Sequence, residues 1–446
     1  VPISRSREQS QRAAFDPTVS GTLQGGRTVG PNGGGNNPPG RPADQISGTA
    51  GVTEYLPTGT TIDAGYSTNN SFYSDSSSDS RLQLSVTQSL LRGAGLDVNL
   101  AALRSAEVST KITQYQLRGF AEQLVDNIEE TYWDLAYAER QVVIVQTALD
   151  VAKEQLRNAN ESIQAGSMSP SERPAANAEV ALRQEALINA KSTLEQTRLR
   201  FLQLVTPAGV PFWNQTVSVQ TPPFVPTGTM DPVDKHVEVA LKLRPELNEA
   251  RLQIQRGDLN VVSTRNGLLP QLDFFVTLGK TGYAKSFGQS FPALNGDEYD
   301  VVAGVRGSYA LGNRAANSNL QQSLLSRDQL IDTMNNLIQT VQVDVRTQYI
   351  EVERTRQQID ATRATRSAQE EAVRVEVGKF QQGRSTSLLV AQAQRDLLTA
   401  QLSEVQAVTQ HLKALVALYR LEGSLLYRRG LEAPGGQTVQ GPAWLH

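Results

Sequence analysis

Histidines are the side chains most suited to proton transfer or metal ligation near neutral pH, and this chain has three: His236, His411 and His446. They are scattered, and none has a carboxylate at the spacing of a catalytic triad or a metal motif. His411 falls in a helical stretch and reads as a seam or surface residue. Gly33-Gly-Gly35 has the composition of a phosphate loop, but neither the Lys-Ser/Thr pair nor the strand-to-helix context follows it. The chain has no cysteine, which removes thiolate nucleophiles, thiolate metal sites and disulfide frameworks. Arg354, Arg356, Arg363 and Arg366 form a basic streak interspersed with Glu351, Glu353 and Asp360, the pattern of a salt-bridged solvent face. Tyr132, Trp133 and Tyr137 recur at helical spacing and read as packing between helices rather than a ligand box. These residues point to no enzyme, no cofactor and no metal site.

Composition narrows the class further. With 42 Lys+Arg against 45 Asp+Glu, the chain has no basic footprint for nucleic acid. Hydrophobic residues make up 39% and aromatics 6%, which suits thin helical seams and water-facing surfaces better than a thick core. No run of about 18 apolar residues exists, so no transmembrane helix is expected. A β-barrel strand needs only about ten alternating residues, so a membrane role stays open. No signal peptide is visible and Val1 is an unusual translation start, so the expectation is that the true N-terminus, with or without a lipidated Cys, was removed or left out.

The elements follow from periodicity. Thr18–Arg27, Thr49–Leu56, Thr60–Thr68, Arg81–Leu90, Gln271–Gly279 and Tyr299–Val305 read as strands. In Arg81–Leu90, Leu82, Leu84 and Val86 alternate with Gln83, Ser85 and Thr87, as a strand between lipid and a watery lumen requires, or one in a soluble sandwich. Val29–Pro42, Asn69–Ser80 and Lys280–Asn295 read as loops. Tyr55, Tyr66, Phe72, Tyr73, Phe274, Tyr283 and Tyr299 flank the strands as candidate membrane-interface anchors. From Asp97 to Ala165 the pattern predicts a helix roughly 100 Å long. Leu135, Ala138, Val142, Val145, Leu149, Ala152, Leu156, Ala159 and Ile163 give it the 3.5-residue period of a coiled-coil seam. Gly166-Ser-Met-Ser-Pro170 breaks the helix and Ser171–Leu204 runs back.

Shifting the numbering by 217 lays Gly166 on Gly383, Tyr132 on Tyr349, Leu135 on Val352, Val142 on Ile359, Ile163 on Phe380, Ala176 on Ala393 and Val180 on Leu397. The chain is therefore a tandem repeat of strands followed by a long antiparallel helical hairpin. The first copy has a longer strand region and only the final turns, Val1–Ala14, of a leading helix that the second copy carries as Val233–Arg265.

In order, spacing and duplication these stretches resemble the TolC-like outer-membrane efflux protein family. The match is carried by Ala14-Phe-Asp-Pro17 with Asn266-Gly-Leu-Leu-Pro-Gln-Leu-Asp273, by Leu84-Ser-Val-Thr-Gln-Ser-Leu-Leu-Arg-Gly93, by Glu130-Thr-Tyr-Trp-Asp-Leu135, by Leu243-Arg-Pro-Glu-Leu247, and by the two tips. The resemblance implies a mostly α fold with a β-barrel part. It implies a homotrimer in which each chain gives strands to one shared β-barrel in outer-membrane lipid, joined to a trimeric α-barrel tunnel through the periplasm of a Gram-negative-type bacterium. It implies domains at 1–14 (helix remnant), 15–92 (strands and loops of the first repeat), 93–205 (its hairpin), 206–268 (irregular equatorial layer and returning helices), 269–311 (strands of the second repeat), 312–421 (its hairpin) and 422–446 (C-terminal equatorial tail). The implied function is a passive exit duct of a tripartite efflux or type I secretion system, docked to a periplasmic adaptor (membrane fusion protein) and an inner-membrane transporter. A structural coiled-coil envelope protein without a conduit is the alternative. Cargo is left open, because in this family the pump sets specificity. Family members usually give four strands per chain; here the first copy offers four and the second two, which fits a wider barrel or a decorative hairpin.

The resemblance places the periplasmic entrance at the tips. Gly166, Ser169, Pro170 and Glu172 meet the family pattern in the first copy, whereas the second has Thr386, Leu389 and nearby Gln392, with no carboxylate. Three copies of Glu172 could narrow the entrance and select cations. Alternatively, Glu172 complements a helix N-terminus in a capping-box spacing with Ser169. The adaptor-docking candidates are Ala165, Gly166 and Ser167 with Gln382, Gly383 and Arg384. Either glycine is also explained as a left-handed helix end. The arginine streak has a second reading, tuning of the tunnel potential.

Overall fold

The computed structural model describes residues 1–29, 42–72, 77–225, 228 and 230–439. Tyr73, Gly33-Gly-Gly35, Gly441-Pro442 and His446 lie outside the described residues. In chain order the elements are α1 (Pro2–Arg12), β1 (Thr18–Val29), β2 (Pro42–Leu56), β3 (Thr60–Ser71), β4 (Ser77–Ser89), α2 (Leu96–Asn99), α3 (Ala101–Gln164), α4 (Arg173–Val205), α5 (Val233–Leu243), α6 (Pro245–Asn266), β5 (Gln271–Ala284), α7 (Phe287–Ala293), β6 (Tyr299–Ser308), α8 (Arg314–Gln381), α9 (Ser387–Leu421) and α10 (Leu425–Arg428). They fold as two compact units, Val1–Gln114 with Ala250–Met334, and Tyr115–Glu249 with Asn335–Val439.

In the first unit the six strands form one antiparallel sheet in the order β1-β2-β3-β4-β5-β6. Side chains alternate across a sheet, so register sorts them into two faces. One face carries Val19, Leu23, Ile46, Val52, Leu82, Leu84, Val86, Leu278, Val301 and Val305, all exposed. The other carries Ser20, Thr22, Thr53, Asp63, Arg81, Ser85, Thr277 and Asp300. Its polar groups pair with one another: Thr53 Oγ1 donates to Asp63 at 2.6 Å, and Arg81 donates both Nη1 and Nη2 to Asp300 at 2.7 and 2.8 Å. The Arg81–Asp300 pair passes over Gly279, where a Cβ would collide with both side chains.

Two expected loops contain regular structure. Residues 77–80 belong to β4, although their Ser/Asp composition reads as loop. Their side chains find partners on the sheet: Ser78 donates to Asn70, and the Ser80 hydroxyl lies 2.9 Å from that of Tyr66 and 2.7 Å from that of Ser290. Within the expected loop Lys280–Asn295, β5 continues to Ala284 and α7 follows, packed on the apolar face of β4 and β5. Gly282 admits it, since a Cβ there would lie 2.6 Å from the Leu294 nitrogen. Ser290, fully enclosed, then adds a second partner for Ser80, whose hydroxyl also meets that of Tyr66.

In the second unit, α3 and α4 form one hairpin and α8 and α9 the other. Leu135, Ala138, Val145, Leu149, Ala152 and Ala159 of the expected seam are buried. Val145, Leu149, Leu187 and Leu398 cluster with Val142 and Val180, so this seam joins α3 and α4 to α9. A second cluster, Val237, Ala240, Leu247, Val341, Val345, Val352, Ala414 and Leu418, packs α5 and α6 against α8 and α9. Each Val or Leu side chain among these contributes about 1.5–3 kcal/mol when withdrawn from water. Tyr132 packs on Trp133 and Phe201 at 5.1 and 6.1 Å, as the packing reading requires. Its hydroxyl also accepts from the Thr221 backbone N–H at 3.1 Å, fastening the irregular segment to α3.

Candidate entrance at the helical tips and its buried charges

Both tips end their outgoing helix in the same hydrogen-bonded motif. At the first, the Ser167 N–H donates to the Ser162 carbonyl and Gly166 to Ile163, at 3.0 and 3.1 Å. At the second, Arg384 donates to Lys379 and Gly383 to Phe380, both at 2.9 Å. This paired 6→1 and 5→2 pattern needs a left-handed residue, and Gly166 and Gly383 have φ of 74° and 71°. A Cβ at either would meet nothing within 4 Å, so conformation rather than space selects glycine. Ala165, Ser167, Gln382 and Arg384 beside them are exposed.

The returning helices are capped as short polar residues dictate. Ser169 Oγ accepts from the Ser171 N–H at 3.3 Å, and Thr386 Oγ1 from the Leu389 N–H at 3.4 Å. Glu172 closes the turn Pro170–Glu172 but its side chain makes no capping hydrogen bond. Its carboxylate instead accepts from the Ser387 hydroxyl, linking the two hairpins. Leu389 and Gln392 of the second tip are exposed. Close by, Ser385 donates to Glu376; that bond, with Lys379 at 3.3 Å, holds the Glu376 carboxyl below its usual value. The tips therefore gather Ser169, Glu172, Thr386 and Ser387 into small polar clusters.

Several charged groups are buried, and single-sequence reasoning missed them. Glu179 and Arg183 of α4 pair at 2.6 Å, and Arg395 of α9 reaches Glu179 at 4.0 Å. On α3, Glu122 faces Arg118 at 3.4 Å, and Asp126 meets Arg420 at 2.8 Å. Burial pushes the Glu122 carboxyl up to about 7, with Glu246 adding to the shift and Arg118 opposing it. Burial likewise pushes Asp126 up to about 6 against the pull of Arg420. One oxygen of each, Glu122 Oε1 and Asp126 Oδ1, is enclosed without a hydrogen bond.

The histidines need correcting in one respect. His236 does have a carboxylate partner: its Nδ1 meets Glu422, which is completely enclosed and also accepts from Ser424 at 2.8 Å and Arg428 at 3.5 Å. Ser424 donates to Glu422 rather than to His236, so the trio is not arranged as a nucleophile and its base. His411 is buried between α8 and α9, its Nδ1 3.1 Å from Thr355 Oγ1, and burial lowers its pKa. The arginine streak pairs partly with its own helix (Arg354–Glu351, Arg366–Glu370) and partly across to Glu404 of α9. Among the described residues, no group of three or more His, Asp or Glu is placed to hold a metal ion.

Residues 237–424 match the outer membrane efflux protein family. The chain is 24% identical over 330 residues to the pyoverdine export outer membrane protein OpmQ of Pseudomonas aeruginosa; the match covers 72% of this chain and 66%, just under two thirds, of that relative. Among solved structures it resembles the outer membrane protein VceC of Vibrio cholerae, with a TM-score of 0.69 at 15% identity over 95% of this chain and 90% of that one. It also resembles the CmeC outer membrane channel of Campylobacter jejuni, with a TM-score of 0.68 at 16% identity over 95% and 81%.

Proposed function

We propose, from the match of residues 237–424 to the outer membrane efflux protein family and the likeness in fold to solved outer-membrane channels, that the chain is a passive trimeric exit duct of a tripartite efflux or type I secretion system. The observation that carries this reading is the sheet. One face carries an exposed apolar band from Val19 on β1 to Val305 on β6, and the other face is mostly polar. A soluble scaffold gains nothing from that arrangement, whereas a barrel strand between lipid and an aqueous lumen requires it. The two hairpins contribute to a helical tunnel in the periplasm. Thin seams do not stabilise such hairpins alone, and a closed ring buries both edges of each.

In this reading Glu172, Ser169, Thr386, Leu389 and Gln392 line the entrance. The tips Ala165-Gly166-Ser167 and Gln382-Gly383-Arg384 meet a periplasmic adaptor, which couples the duct to an inner-membrane transporter. Membrane fractionation with detergent extraction, light scattering and planar-bilayer recording tests the proposal together. An outer-membrane trimer that conducts ions is expected. A protein soluble without detergent, or one that never conducts, returns the chain to the scaffold class.

A further inference from the structure

We propose that all six strands of each chain enter the shared barrel, so that three copies close an 18-stranded barrel through the free edges of β1 and β6. This rests on the trimeric outer-membrane reading above and adds the occupant of each edge, a second copy of the same chain.

The β2–β3 hairpin is built into the sheet rather than hung on it. Its register with both neighbours is unbroken, beginning at Thr18↔Thr53 with β1 and at Thr60↔Gln88 with β4, while Leu56↔Thr60 closes the hairpin itself. Its turn is fastened to the start of the first hairpin. Asn99 Nδ2 donates to the Pro57 carbonyl at 3.1 Å and the Gly93 carbonyl at 2.9 Å, and Gly95 N–H donates to Thr58 at 3.3 Å. Tyr55 donates to Asn99 at 2.9 Å and stacks on Phe15. Gly59, with φ of 88°, lies so close to the Gly93 carbonyl that a Cβ would collide with it. An ornamental hairpin would need none of these ties.

The hairpin also shares the alternation of the other strands. Val52 on β2 lies on the same face as Ala64, Leu84 and Val276 of the next three strands, and Thr53 lies opposite with Asp63, Ser85 and Thr277. The sheet edges are long: β1 has 12 residues and β6 has 10. In lipid, each unpaired backbone group on such an edge costs several kcal/mol, so both edges must be paired. Six is an even number, so β1 and β6 run in opposite senses. The β6 of one copy therefore meets the β1 of the next as an antiparallel pair with the same face outward. With strands about 4.8 Å apart and tilted about 40°, eighteen strands give a barrel about 36 Å across its backbone, against about 24 Å for twelve. A bore of that width falls in the class of open aqueous channels and sets no drug-sized limit on cargo.

The chain has no cysteine, so introduced pairs are its only thiols. Val302→Cys on β6 is combined with Ser20→Cys, Thr22→Cys or Gln24→Cys on β1, all on the polar face, and oxidised in outer membranes. Disulfide-linked dimers and trimers from at least one pair are expected. End-on cryo-electron microscopy of the trimer should resolve eighteen strands. If Val302→Cys links instead to Thr61→Cys or Asp63→Cys on β3, or to nothing in an intact trimer, or if twelve strands are counted, the inference is overturned while the trimeric reading stands. A monomer by light scattering overturns both.

Discussion

The Glu172 carboxylate accepts a hydrogen bond from the Ser387 hydroxyl, which ties the first hairpin to the second at their tips. The pair separates two roles for one residue. Glu172→Gln removes the charge but keeps an acceptor, whereas Ser387→Ala keeps the charge and removes the bond. A hydrogen bond to a charged group contributes about 1.5–3 kcal/mol when well buried and less at this half-exposed site. If Glu172 acts as a carboxylate ring, Glu172→Gln weakens block by divalent cations in single-channel recordings and Ser387→Ala does not. If it acts as a latch, Ser387→Ala raises open probability several-fold. Unchanged block and gating in both variants would leave Glu172 as a surface residue.

At the second tip, Gly383 is held at φ of 71° with open space where a Cβ would stand. Gly383→Trp should therefore cost about 1–2 kcal/mol of local strain without disturbing the trimer. The helical circular dichroism signal is expected to stay within a few per cent of the parent. Adaptor pull-down should be lost, because the new ring projects from the proposed docking surface. An intact trimer that still captures adaptor would move docking away from this tip.

Glu122 gives a pH prediction with a definite sign. Its folded value is raised to about 7 by burial, above an unfolded value of about 4.5. The folded state thus favours the proton, and the stability this provides is present below about pH 4.5 and is lost as pH rises through about 7. Glu122→Gln removes the ionisation and should make the protein more stable than its parent at pH 8, by on the order of 2–3 kcal/mol, with little difference at pH 4. Melting temperatures of both proteins across that range test it. A variant that is less stable at pH 8 would mean the Arg118 contact outweighs the cost of burying the charge.

Glu422 makes the opposite case. It is enclosed, yet it accepts from Ser424 and Arg428 and meets His236. Glu422→Ala leaves three polar groups without their acceptor and should cost about 3–5 kcal/mol. Glu422→Gln keeps one acceptor oxygen and should cost less. Denaturant midpoints of the two variants give the order, and equal losses would mean that packing volume, not hydrogen bonding, is what Glu422 supplies.

Why the hairpins were legible and the buried charges were not follows from the range of the forces involved. A seam of Leu135, Ala138, Val142 and Val145 announces itself within two helical turns, and Gly166 marks its end by a local backbone requirement. The strands were legible for the same reason, since alternation is local. Glu122 and Asp126 look like ordinary surface carboxylates until α9 brings Arg420 beside Asp126. His236 and Glu422 are 186 residues apart, and nothing near either predicts their meeting. The candidate entrance was legible in part. The caps at Ser169 and Thr386 are where local chemistry puts them, but the direction of the Glu172 side chain depends on a serine in the other repeat.

The same contrast explains α7, a helix that composition conceals. Residues 280–295 are rich in Gly and Ser, yet Gly282 is the feature that seats α7 on the sheet, because a Cβ there would lie 2.6 Å from Leu294 N and would also strike Ser290 O. Gly282→Val must displace α7. That would leave Ser78 and Ser80, now shielded by Ser290, exposed beside Thr68 and Asn70 on that face. The strands below keep their ladder, so the sheet should still form. Loss of the Ser290 contacts costs about 1 kcal/mol for each hydrogen bond. Limited proteolysis of the purified protein provides the measurement, with cleavage expected within residues 285–298 of the variant and not of the parent. Equal resistance of both proteins would show that α7 is held by its remaining contacts, such as Phe291 against Tyr66 at 6.0 Å, rather than by the close approach at Gly282.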